Sequence, residues 1–242
     1  RYINQLLFSW LTRRATQGKF DLVHSHDLVT HADLYTLHVP CFKTRWTESR
    51  GWRRGLRWLN TLLSPRKIAY LWLEQRQLSP RKGKQLIAVS EFLSRNIVRN
   101  YPQNSASITI AYPGINPHPV EEIDPIWRSE QNLPAQAFVL LFVANDFRKK
   151  GLPTLIRALE QLNTPQIHLL VAGNGKQEAL QIPDTVQPNI HFLGVIKEME
   201  PLYANVDALI HPTRMDTYGM VVLEAMAHRL PVIVSNQHYC GF

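Results

Sequence analysis

The sequence predicts an α/β protein in which parallel strands alternate with helices to form doubly wound sheets. Hydrophobic residues make up 45% of the 242 residues and aromatic residues 10%, which is enough for a dense core. Short apolar runs alternate with helical segments in the second half, as in a parallel sheet covered on both faces. A proline-rich stretch separates this half from the first, which indicates two domains.

The composition excludes several other classes of protein. Intrinsic disorder, collagen and a disulfide scaffold do not fit this hydrophobic content. The longest apolar run, residues 137–144, is far shorter than the ~20 residues that a membrane-spanning helix needs. Two cysteines, Cys41 and Cys240, favour a reduced, cytosolic compartment. The chain begins at Arg1 rather than Met, which suggests a fragment of a longer protein.

Short strands and amphipathic helices are predicted along the first half. An amphipathic helix is expected over Tyr2–Gln17, and Ser90 is the expected N-cap of a helix over Glu91–Asn100. The predicted strands are Asp21–His24, Leu34–Val39, Leu86–Val89 and Ile108–Ala111. Within residues 41–84, two helices are expected, with apolar faces formed by Trp52, Leu56, Leu59 and Leu63 and by Ile68, Leu71, Trp72 and Leu78.

The second half alternates more regularly. Its expected order is strand Phe138–Ala144, helix Leu152–Leu162, strand Ile167–Ala172, a short helix from Lys176, strand Ile190–Leu193, helix Glu198–Ala204, strand Ala208–His211, helix Gly219–Arg229 and strand Val232–Ser235. In such a doubly wound domain, ligands bind beyond the carboxyl ends of the strands. Five of the sixteen prolines fall within residues 113–134. The predicted domains are therefore 1–116 and 135–242, joined by a linker over 117–134.

Asp216 and Glu224 lie eight positions apart around the start of a predicted helix. Asp216 is in the loop after a strand, and Glu224 is about one and a half turns into the helix that Gly219 opens. The N–H groups of Gly219, Met220 and Val221 would be available to an anion or a hydroxyl. One carboxylate could accept hydroxyls of a sugar, and the second could hold a ribose diol. The alternative is structural, with an acid that merely stabilises the helix dipole.

A cationic loop follows the first strand of the second domain. Asn145 opens it, and Arg148, Lys149 and Lys150 form three consecutive cations that would suit a phosphate group. A solvated loop is the competing interpretation. Gly173 begins a Gly-x-Gly turn after the next strand, which alone is a weak nucleotide signal.

His24 and His26 would share one face of a strand, which suits two metal ligands. A strand that ends in a cleft explains the same residues without a metal, and no metal is expected.

Residues 41–84 account for the net positive charge of the chain, since twelve Lys and Arg residues there face only Glu48 and Glu74. Four of the six tryptophans lie in the same window, at positions 46, 52, 58 and 72. An anionic membrane interface, a nucleic acid and a simply solvated helical face are all compatible with this composition.

Taken together, these motifs resemble the family 4 retaining glycosyltransferases of the GT-B fold, which has two Rossmann-like domains. The matching residues are Asp21–His26, Ile87–Glu91, Tyr112–Asn116, Arg148–Gly151, and the Asp216–Glu224 helix followed by Leu230–Val234. Residues 41–84, 113–115, 145–147, 211–212 and 240–242 further resemble members that add glucose to the lipopolysaccharide core. The resemblance implies that both domains are truncated relative to the family pattern.

The resemblance implies a role for each matching residue. Lys150, with Lys149 or Arg148, would neutralise the departing diphosphate. Asp216 and the amides of Gly219–Val221 would hold the donor sugar, and Glu224 the ribose. His26 matches a cleft histidine of many members. The resemblance implies no protein nucleophile, no metal and no cofactor besides the nucleotide sugar. Asp216 stands where many members have Glu, and Asn145 where many have Arg, so the choice of sugar is left open.

The function implied is transfer of a hexose from a UDP-sugar to a lipid-linked saccharide such as lipopolysaccharide core, and glucose is the expected hexose. Residues 41–84 would contact the anionic inner face of the cytoplasmic membrane. A different acceptor, capsular or soluble, is the enzymatic alternative, and a basic nucleic-acid-binding module is the non-enzymatic one. If both ends are cut, the fragment itself would bind donor weakly or lack turnover.

Overall fold

The computed structural model describes residues 2–44, 55, 61, 63–116, 124–178 and 180–236. The chain divides into two compact units, residues 1–112 and 113–242. Each contains parallel strands and helices, which confirms the predicted α/β class. The helices are α1 (Tyr2–Thr16), α2 (Pro65–Leu78), α3 (Glu91–Asn100), α4 (Pro125–Glu130), α5 (Leu152–Leu162), α6 (Glu200–Ala204) and α7 (Met220–Ala227).

The strands of the first unit are β1 (His24–Ser25), β2 (Leu34–Leu37), β3 (Gln85–Ala88) and β4 (Ile108–Ile110). They form a parallel sheet in the order β1-β2-β3-β4. The predicted N-cap of α3 is confirmed, because the Ser90 hydroxyl accepts a hydrogen bond from the Leu93 N–H at 3.1 Å. Helix α1 packs against α2, but its apolar residues Ile3, Leu7 and Trp10 remain exposed.

The strands of the second unit are β5 (Phe138–Val143), β6 (Ile167–Ala172), β7 (Ile190–Gly194), β8 (Ala208–His211) and β9 (Val232–Val234). They are all parallel, in the order β7-β6-β5-β8-β9. From β5 the chain therefore moves outward to one side through β6 and β7, and returns to the other side with β8. This reversal creates a topological switch point between β5 and β8.

Both faces of this second sheet are covered, as predicted for a doubly wound domain. On one face, Val139 and Leu141 pack in a cluster with residues of α6 and α7. On the other face, Leu140 and Phe142 pack with apolar residues of α5. Alternate residues of β5 thus enter opposite halves of the core, which explains its continuous apolar sequence.

The predicted linker over 117–134 is described from Asp124 onward, and there it packs onto the second unit as α4. The Asp124 carboxylate caps this helix by accepting the Ile126 N–H at 2.9 Å. The buried Arg128 pairs with Asp207 at 3.1 Å. Residues 117–123 lie outside the described residues.

The short helix predicted from Lys176 is wrong. Residues 176–178 and 180–186 contain only turns and irregular backbone, and a 3₁₀ turn follows at Gln187–Asn189. One turn-type hydrogen bond joins the Leu180 N–H to the Gln177 carbonyl, and Pro183 lies only three positions beyond Leu180, where its missing N–H and its ring oppose helix extension.

Several predictions fall outside the described residues. These are most of the first helix expected within residues 41–84, the tryptophans at 46, 52 and 58, and Cys240. Among the residues that are described, no helix is both long and apolar enough to span a bilayer.

Candidate functional site

The predicted site residues of the second unit follow strands that meet at the switch point. Lys150 lies in the loop after β5, and Asp216 lies in the loop after β8. Because β5 and β8 are adjacent and parallel, these two loops emerge side by side at the same edge of the sheet. This crevice is where open α/β sheets bind their ligands.

Close backbone packing holds these loops together. A Cβ atom on Gly151 would lie 1.9 Å from the carbonyl oxygen of Pro212, in the loop after β8. A Cβ on Gly173 would lie 1.9 Å from the carbonyl oxygen of Ala144, in the loop after β5. Both glycines also have positive φ values, +91° and +124°. Both positions therefore require glycine, because of the close contact and because of the backbone conformation. The loops after β5, β6 and β8 are therefore built as one rim.

Lys150, Asp216 and His211 form the polar centre of this rim. The Lys150 Nζ lies 2.5 Å from Asp216 Oδ2, and His211 Nε2 lies 3.0 Å from the same oxygen. The side chains of Lys150 and Asp216 are 26% and 15% exposed, and His211 is buried. An ion pair that is only partly reached by water is stronger than a surface pair, yet remains open to a ligand.

The charge state of Asp216 follows from these contacts. Burial alone would raise the pKa of its carboxyl group, but hydrogen bonds from His211 and Lys150, with the charge of Lys150, hold the pKa well below its usual range. Asp216 is therefore an anion at neutral pH. Since Oδ2 accepts from Lys150, the arrangement offers a cation and a hydroxyl acceptor side by side.

Glu224 is held by a different neighbour. It lies on α7, and its Oε2 accepts a hydrogen bond of 2.7 Å from the hydroxyl of Tyr203 on α6. Helix α7 itself begins after Gly219, whose φ of +76° again suits glycine. The N–H groups of Gly219, Met220 and Val221 lie at the helix end where backbone donors lack intrahelical partners.

The neighbouring predicted cations are arranged differently from Lys150. Lys149 pairs with Asp146 of its own loop at 2.7 Å, and its side chain is 74% exposed. Asn145 and Arg148 are also exposed. Of the three consecutive cations, Lys150 alone pairs with Asp216 in the described part of the chain.

His26 belongs to the first unit, where it forms a histidine cluster at the carboxyl ends of β1 and β2. Its Nδ1 lies 2.8 Å from His38 Nε2, and its ring lies 4.6 Å from that of His24. His24 Nε2 in turn lies 2.8 Å from the Thr36 hydroxyl. Within the described ranges, no group of three or more His, Cys, Asp or Glu side chains is arranged to hold a metal ion.

Sequence reasoning missed two residues, His211 and Tyr203, as direct partners of predicted site residues. His211 was noted only as part of a His-Pro motif, although its place at the carboxyl end of β8 was a usable signal. Tyr203 gave no signal, because its contact with Glu224 joins two helices that are 21 positions apart.

The described part of the basic window is tied to the first unit by a buried acid. Glu74 on α2 accepts hydrogen bonds from the backbone N–H groups of Phe42 and Lys43 and from the Tyr101 hydroxyl. On the same helix, Trp72 is exposed, and the guanidinium of Arg76 lies 5.6 Å from its ring centre.

Comparison with known protein families gives two matches that together span most of the chain. Residues 1–118 match a family described as Glycosyltransferase Family 4, and residues 137–241 match Glycosyl transferases group 1. The boundary between the two matches lies within the proline-rich region.

Individual proteins point the same way. The lipopolysaccharide glucosyltransferase WaaG of Escherichia coli is 25% identical over 99% of this chain, and this chain covers 64% of WaaG. The crystal structure of WaaG superposes with a TM-score of 0.77 over 98% of this chain and 65% of that one. A glycosyltransferase of Methanocaldococcus jannaschii, MJ1607, is 28% identical over 90% of this chain and 58% of its own length.

A more distant structure shows the same fold. Anabaena HepE, solved with UDP and glucose, is 20% identical, with a TM-score of 0.61 over 86% of this chain and 53% of HepE. The chain thus spans less than two thirds of the length of each of these relatives.

Proposed function

This chain belongs to the family 4 glycosyltransferases of the GT-B fold, and we propose that it transfers a hexose from a UDP-sugar to a lipid-linked saccharide. One observation carries the proposal: the ion pair between Lys150 and Asp216 at the switch point of the second sheet. A diphosphate sugar needs a cation for its phosphates and an acceptor for its hydroxyls, and this pair supplies both.

The proposed role of Lys150 is to stabilise the leaving group. In the free protein its ammonium is neutralised by Asp216. When a nucleotide sugar binds, the diphosphate competes for this cation and gains a charge-assisted hydrogen bond. Charge accumulates on the diphosphate as the bond to the sugar breaks, so Lys150 would bind the transition state more tightly than the ground state.

Asp216, Gly219–Val221 and Glu224 would position the donor. Asp216 is an anion with His211 fixing one oxygen, so it would accept hydroxyls of the sugar. The N–H groups at the start of α7 would bind phosphate or hydroxyl oxygens. Glu224 would hold the ribose, and Gly173 would allow the chain to approach the ligand closely.

We propose retention of configuration without a protein nucleophile, a metal or a further cofactor. The bond between the anomeric carbon and the diphosphate oxygen breaks, and the acceptor oxygen bonds to the same face of that carbon. The acceptor proton passes to the departing diphosphate, so atoms and charge balance. Catalysis then rests on positioning and charge stabilisation.

WaaG supports glucose as the sugar and lipopolysaccharide as the acceptor, since it is a lipopolysaccharide glucosyltransferase. The exposed Trp72 beside Arg76 supports contact of residues 41–84 with an anionic membrane surface on the cytosolic side. A capsular or soluble acceptor is the competing proposal. The alternative function, nucleic-acid binding, does not explain the Lys150–Asp216 pair.

A nucleotide-sugar screen tests the donor. Thermal unfolding of the full chain is measured with UDP-, ADP- and GDP-sugars, and a ligand at 100 times its Kd adds about 2.7 kcal/mol to the free energy of unfolding. We expect UDP-glucose to stabilise the chain most. Stabilisation by none of these ligands would contradict the proposal.

A vesicle assay tests the acceptor side. We expect the chain to sediment with vesicles that contain anionic lipid and to be released by salt, because surface charge attraction is screened. Absence of vesicle binding, with UDP-glucose binding retained, would favour a soluble or capsular acceptor.

A further inference from the structure

The hydrophobic core of the second unit fixes the position of the Tyr203 side chain. It lies on α6, is 2% exposed, and packs in the same cluster as Val139, Leu141 and Val222. A buried side chain with many apolar neighbours has one position, because the core is close-packed. The hydroxyl group at its end is therefore fixed relative to the sheet.

The Tyr203 hydroxyl donates to one carboxylate oxygen of Glu224 and makes no hydrogen bond to the other. Tyr203 donates to Oε2 at 2.7 Å. Within the described residues, no second hydrogen bond reaches the carboxylate of Glu224. An anionic carboxylate offers about four acceptor positions, so Oε1 remains available to a ligand.

His228 contacts both Tyr203 and the backbone of Glu224. Its ring lies 4.9 Å from the Tyr203 ring, and its Nδ1 lies 2.9 Å from the backbone carbonyl of Glu224. Tyr203 and the backbone of Glu224 are thus joined by one further side chain. The conformation of the Glu224 side chain is restricted before any ligand binds, which reduces the entropic cost of binding.

We infer that Tyr203 is a positioning residue that presents Glu224 Oε1 to the ribose diol of the nucleotide and so makes the site selective for ribonucleotides. This inference rests on the proposed function, because it takes the ligand to be a nucleoside diphosphate sugar. It adds a specific consequence: selectivity between ribose and 2′-deoxyribose depends on a hydroxyl that never touches the ligand.

The test compares the binding of UDP and 2′-deoxy-UDP by calorimetry. We expect the wild-type chain to bind UDP about tenfold more tightly, because a hydrogen bond to a charged group is lost with the 2′-hydroxyl. Tyr203→Phe keeps the ring and removes only the hydroxyl. We expect it to reduce this ratio to about threefold or less, and Glu224→Gln to do the same.

Tyr101→Phe is the matched control. Tyr101 is also buried, and its hydroxyl also donates to a glutamate, Oε1 of Glu74 in the first unit, at 2.9 Å. We expect its UDP preference to equal that of the wild type. The ratio of two affinities is independent of how much protein is folded, so a partial loss of stability in Tyr203→Phe does not obscure the result.

The outcomes separate this inference from the function beneath it. A wild-type chain that binds neither nucleotide contradicts the proposed function. A wild-type preference for UDP that disappears in Glu224→Gln but persists in Tyr203→Phe overturns the role of Tyr203 alone. Loss of the preference in both variants, with Tyr101→Phe unchanged, supports it.

Discussion

Each unit of the molecule contains a hydrogen-bonded tyrosine–glutamate pair with a buried tyrosine, and the two pairs differ in how many donors the carboxylate accepts from. Glu74 in the first unit accepts from two backbone N–H groups as well as from Tyr101, so both of its oxygens are used. Glu224 in the second unit accepts from Tyr203 at one oxygen. An acid that accepts at both oxygens ties segments of the chain together, whereas an acid with an unused oxygen remains able to bind a ligand.

The surroundings of the two acids reinforce this contrast. Glu74 joins α2 to residues 42 and 43 and to Tyr101 at the end of α3, and so connects both ends of residues 41–84 to the rest of the first unit. Glu224 belongs to the helix that begins beside the Lys150–Asp216 pair. We therefore expect changes at Glu74 to affect stability and changes around Glu224 to affect ligand binding.

The largest effect is expected for Lys150→Ala. Loss of the cation that faces the leaving diphosphate should lower transfer by the full chain about 10²–10³-fold, as for the loss of other groups that stabilise transition-state charge. The measurement is transfer of labelled glucose from UDP-glucose. Lys197→Ala removes the same charge from an exposed position in the same unit and should retain wild-type transfer. Equal activity in both variants would remove Lys150 from the site.

Gly173, whose loop packs closely against the loop after β5, should be a sensitive position for stability. In Gly173→Ala, the new Cβ would meet the Ala144 carbonyl at 1.9 Å, at a φ of +124°. We expect a loss of about 3 kcal/mol in the free energy of unfolding, from overpacking and strain together.

Gly18→Ala is the control for that substitution. Gly18 has a φ of +70°, but a Cβ there would meet nothing within 4 Å, so about 1 kcal/mol should be lost. Equal losses in urea unfolding would mean that the close approach of the two loops does not exist.

Glu74→Gln should mainly lower stability, whereas Glu224→Gln should mainly lower the affinity for UDP. In Glu74→Gln, an amide group replaces an acceptor that serves three donors, and the free energy of unfolding should fall by about 2–3 kcal/mol with UDP affinity unchanged. Glu224→Gln should lose less than about 1 kcal/mol of stability while its UDP affinity falls about tenfold. Urea unfolding and calorimetry measure the two quantities, and a shared pattern for both variants would end the distinction.

The smallest effect expected is an opposite pH dependence of two acids. Burial raises the pKa of Glu74, so its contribution to stability grows as the pH falls from neutral toward its usual value of 4.5. The pKa of Asp216 lies below its usual 3.8, so its contribution is present above that pH and is lost below it.

Difference measurements isolate these contributions. The free energy of unfolding of the wild type minus that of Glu74→Gln should increase between pH 7 and about 4.5. The wild type minus Asp216→Asn should stay constant over this range and decrease below about pH 4. A decrease of both differences from pH 7 downward would contradict the account of Glu74, in which burial outweighs the hydrogen bonds that lower its pKa.

Much of the second unit was predictable from sequence because its signals are local. Helix Leu152–Leu162 and strands Ile167–Ala172 and Ala208–His211 have the predicted bounds, since periodicity and buried apolar runs determine them. That Lys150 and Asp216 lie at the same edge of the sheet followed from the rule that ligands bind at the carboxyl ends of parallel strands, but their direct ion pair was not predicted. Whether the roles assigned to these residues are correct stays a prediction.

The rest depended on contacts between distant segments. Lys149 pairs with Asp146 because the loop turns back on itself, which three consecutive cations in a sequence do not reveal. Tyr203 reaches Glu224 only after α6 and α7 pack on one face of the sheet. The predicted helix from Lys176 was wrong because a suitable composition does not outweigh a short segment closed by a proline.

Hydrogen exchange with and without UDP-glucose tests the central claim most directly, namely that the segments Asn145–Gly151 and Asp216–Glu224 bind one ligand. At saturating UDP-glucose, we predict slower amide exchange in both segments and unchanged exchange at Phe42 and Lys43, whose N–H groups donate to Glu74 in the first unit. Unchanged exchange in both segments, while calorimetry shows that UDP-glucose binds, would contradict the account.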